Sequence, residues 1–169
     1  MLLAIPSPAL VLLIGAAGSG KSTFAARHFR PTQVLSSDNC RALVSDDEAN
    51  QDATKDAFEL LHLILEKRLR RGKLTVVDAT NVQAWARASL LAIAQHCSVP
   101  AIAIVFNLPE ALTAEQNHAR ADRVVDTNVI AQQTKDLQTS LYELPNEGFA
   151  QVHILTSREA VNAAEISPP

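Results

Sequence analysis

Ala9-Leu-Val-Leu-Leu-Ile14 runs without a break into Gly15-Ala-Ala-Gly-Ser-Gly-Lys21-Ser22-Thr23, and this junction decides the fold. The apolar run has the length of a strand, and its lack of polar interruptions is what burial on both faces requires. The stretch after it fits G-x-x-x-x-G-K-[ST] and holds three of the chain's five glycines. Glycines at these places let backbone N–H groups turn inward around a phosphate chain, and a helix beginning at Lys21 adds its positive end. Gly15, Ala16, Ala17, Gly18, Ser19, Gly20 and Thr23 then form the cradle. Lys21 sets an ammonium against the β- and γ-phosphates, and Ser22 offers a hydroxyl to Mg²⁺. A chance glycine turn would lack the buried strand before it and the helix after it. The motif therefore predicts a bound nucleotide with Mg²⁺.

Working outward, the pattern alternates strand and helix. Residues 21–29 read as a helix stopped before Pro31, and residues 33–35 as a second strand. Residues 46–71 read as a long helix with an apolar stripe at Leu60, Leu61, Ile64, Leu65 and Leu69, closed by Gly72. Residues 74–78 form a third strand, 83–96 a helix, 101–106 a fourth strand, 109–118 and 129–141 two helices, and 151–156 a fifth strand. The tail reads as frayed. Such alternation predicts an α/β fold, a parallel five-stranded sheet sandwiched between helical layers. We find no repeat or linker, so residues 1–169 are expected to form a single domain, with a helical lid at about 113–130.

Composition narrows the class. The chain has 169 residues, 47% hydrophobic and 20% charged, and a net charge of −3. These values exclude a disordered chain, a collagen repeat and a coiled coil. An acidic chain also lacks the broad basic surface of a general nucleic-acid coat. Cys40 and Cys97 are too few for a disulfide framework. The apolar N-terminus lacks a basic n-region and carries Pro6 and Pro8, unlike a signal peptide. Its apolar run is far too short to span a membrane. A cytoplasmic protein with no membrane partner is expected.

Ligands of parallel sheets sit at the carboxyl ends of the strands, and that rule sorts the remaining residues. Asp38 follows the second strand, where a carboxylate can accept the proton of an attacking hydroxyl. Arg41 can share its helical face and hold an anion beside it. The plainer reading makes Asp38 an N-cap. Asp78 ends the third strand, a place suited to Mg²⁺, and Thr80 and Asn81 follow as orienting or substrate-contacting groups. A turn would use the same three residue types. Arg120 and Arg123, three apart between the late helices, could close over a triphosphate and neutralise developing charge. The alternative is a solvated face balanced by Asp122 and Asp126. The basic run Lys67–Arg71 precedes the third strand, at the opposite sheet end, and suits a helix C-terminus. His62 reads as packed, and Trp85 as a partly buried anchor more than a stacking platform.

Taken in order, the P-loop, Ser-Ser-Asp38-x-x-Arg41, Val-Val-Asp78-Ala-Thr80-Asn81 and Asn117-x-x-Arg120-x-x-Arg123-x-Val125 resemble the kinase domain of bacterial polynucleotide kinases, within the AAA_33-type P-loop kinases. The resemblance covers nearly the whole chain. It implies transfer of the γ-phosphate of ATP, with Mg²⁺, to the 5′-hydroxyl of RNA or DNA. By the same resemblance Asp38 is the general base and Arg41 holds the phosphate next to the 5′ nucleoside. Lys21, Arg120 and Arg123 complete the catalytic set, with Arg120 also on ATP. Family members often carry a further arginine where this chain has Gln116. The chain has no D-x-D-x-T phosphatase motif and is expected to act alone or with separate partners. Two other classes share the P-loop: a kinase for a small acceptor such as a nucleoside, nucleotide, sugar or antibiotic, and a silent nucleotide-binding switch. Nucleoside monophosphate kinases usually add Gly-x-Pro-Arg after the third strand, where this chain has Asp78-Ala-Thr-Asn81.

Overall fold

A computed structural model describes residues 1–119 and 124–167. In chain order the elements are β1 (Leu2–Ala4), β2 (Leu10–Ile14), α1 (Lys21–His28), β3 (Val34–Ser36), α2 (Ser37–Ser45), α3 (Thr54–Arg70) and β4 (Thr75–Asp78). They continue as α4 (Ala84–His96), β5 (Ala101–Phe106), α5 (Glu110–His118), α6 (Thr127–Glu143), β6 (Gln151–Leu155), α7 (Arg158–Ala163) and β7 (Glu165–Ser167). Five strands form a parallel sheet in the order β3-β4-β2-β5-β6. The expected α/β architecture is therefore present, with β2 at its centre.

The period of two along the central strands builds the layers. Leu10, Leu12 and Ile14 of β2, with Ala101, Ala103 and Val105 of β5, face Leu61, Leu65 and Leu69 of α3, Leu90 of α4 and Leu137 of α6. Val11 and Leu13, with Ile102, Ile104 and Phe106, face Phe24 of α1 and the β1–β7 edge. Every residue of β2 and β5 is buried, so hydrophobic contact on both faces holds the sheet between its two helical layers.

Two expectations change. The helix expected over 46–71 is shorter, because residues 46–53 lie outside it. Asp46, at φ +57, ends α2, and α3 begins only at Thr54. Between them Asp47 Oδ1 accepts from Ala49 N at 2.9 Å and Asn50 Oδ1 from Asp52 N at 3.0 Å. These short polar side chains satisfy the backbone locally and compete with helix. The tail is not frayed, since β7 pairs in parallel with β1 in a separate two-stranded sheet. Leu3 and Ala164 are buried there.

The basic run has the structural use expected of it. Arg68 Nε donates to Thr75 Oγ1 at 3.1 Å and Nη2 to Leu74 O at 3.0 Å, tying the end of α3 to the start of β4. Arg70 pairs with Glu66 at 2.5 Å. Among the described residues no helix is long and apolar enough to cross a membrane.

Candidate active site

The P-loop joins β2 to α1 at the carboxyl end of the sheet, and a cleft of about 1140 Å³ opens over it. Gly18 and Gly20 stand at φ +80 and +89, backbone that L side chains rarely adopt. A Cβ on Gly18 would come within 2.3 Å of Thr113 O, so glycine is needed there for α5 to close over the loop. Lys21 is 7% exposed. Its Nζ donates to Ala16 O at 2.8 Å and Ser19 Oγ at 3.3 Å, which folds the side chain back across the loop. Gly15 N donates to Thr80 O at 2.9 Å. Ser22 and Thr23 are exposed and line the cleft.

Asp38 and Arg41 stand on α2, directly after β3, and both line the same cleft. The N-cap reading of Asp38 is corrected: Ser36 caps α2, its Oγ accepting from Asn39 N at 3.3 Å. The Asp38 carboxylate instead pairs with Arg41. Arg41 is 8% exposed, and its Nε donates to Thr54 Oγ1 at 3.2 Å. That contact locks the guanidinium from the side of α3. Burial pushes the neighbouring Cys40 thiol above its ordinary range, against a smaller opposing pull from Arg41, so Cys40 packs as a neutral thiol. His62, on α3, is held below its usual pKa by burial and lies beside the Phe58 ring, as packing predicts.

Asp78 is the last residue of β4, buried, and on the cleft wall. Because β4 lies between β2 and β3, Asp78 stands between the P-loop and the Asp38 helix. The Asn81 side chain is 3% exposed. Its Nδ2 donates to Leu13 O at 2.8 Å, while its Oδ1 is buried without a hydrogen-bond partner. Such an orphan acceptor costs stability unless something bound donates to it. Ser22 and Asp78 offer hard oxygen donors, and Mg²⁺ takes one or two such protein oxygens while keeping its waters. A hydrated Mg²⁺ fits this donor set, since its waters can donate to an acceptor such as Asn81 Oδ1. Among the described residues no cluster of three or more His, Cys, Asp or Glu forms a separate metal site.

Sequence reasoning missed what holds this loop. Arg87 of α4 is fully buried. It donates to both carboxylate oxygens of Glu147, at 2.7 and 2.5 Å, and to Asn81 O at 2.9 Å. Ser140 Oγ of α6 donates to Val82 O at 2.7 Å. Nothing in the alanine-rich run Ala84–Ala88 separates Arg87 from a solvated arginine, because its partner lies 60 residues on. Removing Glu147 would leave the guanidinium buried and uncompensated. Glu147→Ala is therefore expected to lower unfolding stability by about 3–5 kcal/mol. Urea denaturation followed by circular dichroism reads this, and a loss below about 1 kcal/mol would place the pair among weak surface bridges.

Asn117 of α5 is fully buried and bonds Val125 in both directions, at 2.7 and 3.0 Å. It thereby brackets the segment that carries Arg120 and Arg123. Those two arginines lie outside the described residues. Gln133 of α6 reaches the P-loop, its Oε1 accepting from Ala17 N at 2.9 Å. Gln116 of α5 bridges as well: with its carboxamide turned so that donors meet acceptors, the nitrogen donates to Gly18 O at 2.5 Å and the oxygen accepts from Arg158 Nε at 3.2 Å and Nη2 at 3.0 Å. Gln133 and Arg158 carry no sequence signal, and Gln116 is marked in the sequence only as standing where relatives often carry an arginine. Trp85 corrects an expectation, since its indole is 74% exposed at the cleft rim rather than anchored.

Comparison with solved structures returns the same architecture. One chain in the structure of the Pnkp1/Rnl/Hen1 RNA repair complex superposes with a TM-score of 0.67 at 22% identity, covering 82% of this chain and 47% of that one. This protein thus spans about half the length of that relative. A candidate kinase from Chloroflexus aurantiacus j-10-fl superposes at 0.62 with 17% identity, over 94% of this chain and 95% of that one. A gluconokinase from Sinorhizobium meliloti 1021 gives 0.56 at 17% identity, over 94% and 90% of the two chains. At these identities the likeness is one of fold. No curated protein sequence matches the chain. A family model described as AAA domain, AAA_33, matches residues 10–144, from the central strand to the end of α6. The chain therefore belongs to the AAA_33 family, and its fold is that of the P-loop kinases.

Proposed function

We propose that the protein is an ATP-dependent phosphotransferase whose acceptor is the 5′-hydroxyl of RNA or DNA. The observation that carries this reading is the Asp38–Arg41 pair facing the P-loop across one cleft, with Asp78 between them. A switch needs a nucleotide cradle but no carboxylate and cation on its far side. Likeness in fold to a chain of an RNA repair complex supports the nucleic-acid acceptor, as does the exposed Trp85 indole at the same rim, a face on which a base can stack. The acceptor and the whole chain acting as one kinase domain, with residues 113–130 as its lid, belong to this proposal.

In this mechanism the acceptor hydroxyl attacks the γ-phosphorus in line. The new O–P bond forms as the bond to the β–γ bridging oxygen breaks, ADP leaves, and Asp38 takes the hydroxyl proton. Arg41, held by Thr54, fixes the acceptor through its terminal phosphodiester. The P-loop N–H groups and Lys21 hold the triphosphate and neutralise charge as the bridge breaks. Ser22 and Asp78 would hold Mg²⁺, which supplies further neutralisation of the β- and γ-phosphates. Arg120 and Arg123 would close the lid over the same charges. The protein supplies positioning and electrostatics more than covalent chemistry.

The test uses γ-labelled ATP and Mg²⁺ with three acceptors in parallel: a 5′-hydroxyl oligonucleotide, a nucleoside 3′-monophosphate and a free nucleoside. Label on the oligonucleotide, at a kcat/KM about tenfold or more above the free nucleoside, is expected, because phosphate contacts contribute binding that a nucleoside lacks. Labelling of the nucleoside at equal efficiency would shift the acceptor to a small molecule. No label on any acceptor, with ATP still bound, would remove the polynucleotide reading.

A further inference from the structure

The nucleotide-binding reading leaves the nucleoside end of the donor without a receptor, and the fold determines where that end lies. In-line transfer puts the attacking hydroxyl and the leaving ADP on opposite sides of the γ-phosphorus. The hydroxyl comes from the side of Asp38, which follows β3. The P-loop follows β2, and the sheet runs β3-β4-β2-β5-β6. The leaving nucleotide must therefore extend toward β5 and β6, the side on which α7 begins. The cleft wall on that side is built by Thr23 and Arg27 of α1, Gln116 of α5, and Arg158, Val161 and Asn162 of α7.

Arg158 is held toward this wall. Its Nε and Nη2 converge on the end of the Gln116 side chain, and with the carboxamide oriented to give them its oxygen, the Gln116 nitrogen donates to Gly18 O of the P-loop. The element under it is fixed as well: Arg27 Nη2 donates to Val161 O at 2.7 Å, and β7 beyond it pairs with β1. A guanidinium so tethered keeps one planar face and its other N–H groups for a ligand. Planar guanidinium stacks on aromatic faces, and its donors match the acceptor nitrogens and oxygens at a base edge.

We propose that Arg158, tethered through Gln116 to the P-loop, is the clamp for the base of the donor nucleoside triphosphate. This rests on the nucleotide-binding reading above and is independent of the acceptor. It also gives Gln116 a use, since the glutamine links Arg158 of α7 to the P-loop.

Isothermal titration of ADP and of inorganic tripolyphosphate into the full chain tests this. Arg158→Ala is expected to weaken ADP about tenfold and to leave tripolyphosphate within twofold of wild type. Arg158→Lys should recover only part of the ADP affinity, since a point charge cannot stack as a plane does. Arg158 is exposed, so the thermal midpoint should stay near that of wild type. Unchanged ADP affinity in Arg158→Ala would overturn the clamp. Equal losses for ADP and tripolyphosphate would overturn it too, making Arg158 a phosphate contact. A wild-type chain that binds neither ligand would instead remove the nucleotide reading on which the clamp rests.

Discussion

Lys21→Ala is expected to reduce ATP-dependent label transfer by about a thousandfold. The side chain is buried, and its ammonium lies folded against Ala16 O and Ser19 Oγ within the loop it serves. An ammonium in that position is desolvated before the nucleotide arrives, so its attraction for the phosphate oxygens is weakly screened. The same contacts make the fold tolerant of the change, because Ala16 O and Ser19 Oγ can bond water once the lysine is gone. The loop geometry depends on Gly18 and Gly20, which the substitution leaves alone. Circular dichroism and the thermal midpoint should therefore stay close to wild type while transfer disappears. Lys21→Arg is the stricter variant. It keeps the charge, but a planar fork cannot occupy the place of a compact ammonium inside the loop, and transfer should remain below about a tenth of wild type. Full activity in Lys21→Arg would mean that charge alone suffices there, and full activity in Lys21→Ala would remove the P-loop from the reaction.

The parts legible in the sequence are those whose chemistry is local. Residues 9–23 state a buried strand, a turn that needs glycine and a helix start within one short stretch, and the structure has all three. The β2 and β5 runs carry no polar residue, so burial on both faces follows from composition alone. Asp38, Arg41, Asp78 and Asn81 are legible because the parallel-sheet rule picks out residues at and just after strand ends, and all four line one cleft.

What escaped is long-range or depends on small free-energy differences. Arg87 is an ordinary helical arginine until Glu147 arrives to pair with it. The late start of α3, at Thr54 rather than Asp46, follows from Asp47 and Asn50 bonding the local backbone, a preference less visible in the sequence than the apolar stripe of α3. The tail looked frayed because a three-residue strand has no periodicity of its own, and β7 exists only through its pairing with β1. Gln116 and Gln133 meet the P-loop from two different elements, Arg158 meets Gln116 from a third, and no spacing rule joins them.

Asp38→Ala should leave ATP affinity nearly intact while lowering kcat by about two or more powers of ten. The carboxylate lies across the cleft from the triphosphate cradle, so its loss does not touch the donor. A drop in kcat could still come from disorder in Arg41, which pairs with Asp38. Asp38→Asn separates the two causes. The amide oxygen can still accept from the Arg41 guanidinium, yet it cannot take a proton, so Asn should be as slow as Ala if Asp38 is the base. Recovery of most of the activity in Asp38→Asn would reduce Asp38 to a support for Arg41. Arg41→Ala completes the comparison. Thr54 and Asp38 hold this guanidinium from two sides, which suits a fixed anion contact better than a proton-transfer role. Its loss should raise KM for a phosphate-bearing acceptor about tenfold or more, and KM for a free nucleoside much less, with kcat less affected. Equal shifts for both acceptors would take Arg41 out of phosphate recognition and leave it as the residue that orients the base. The pair of kcat and KM profiles thus assigns proton transfer and acceptor grip to separate members of one ion pair.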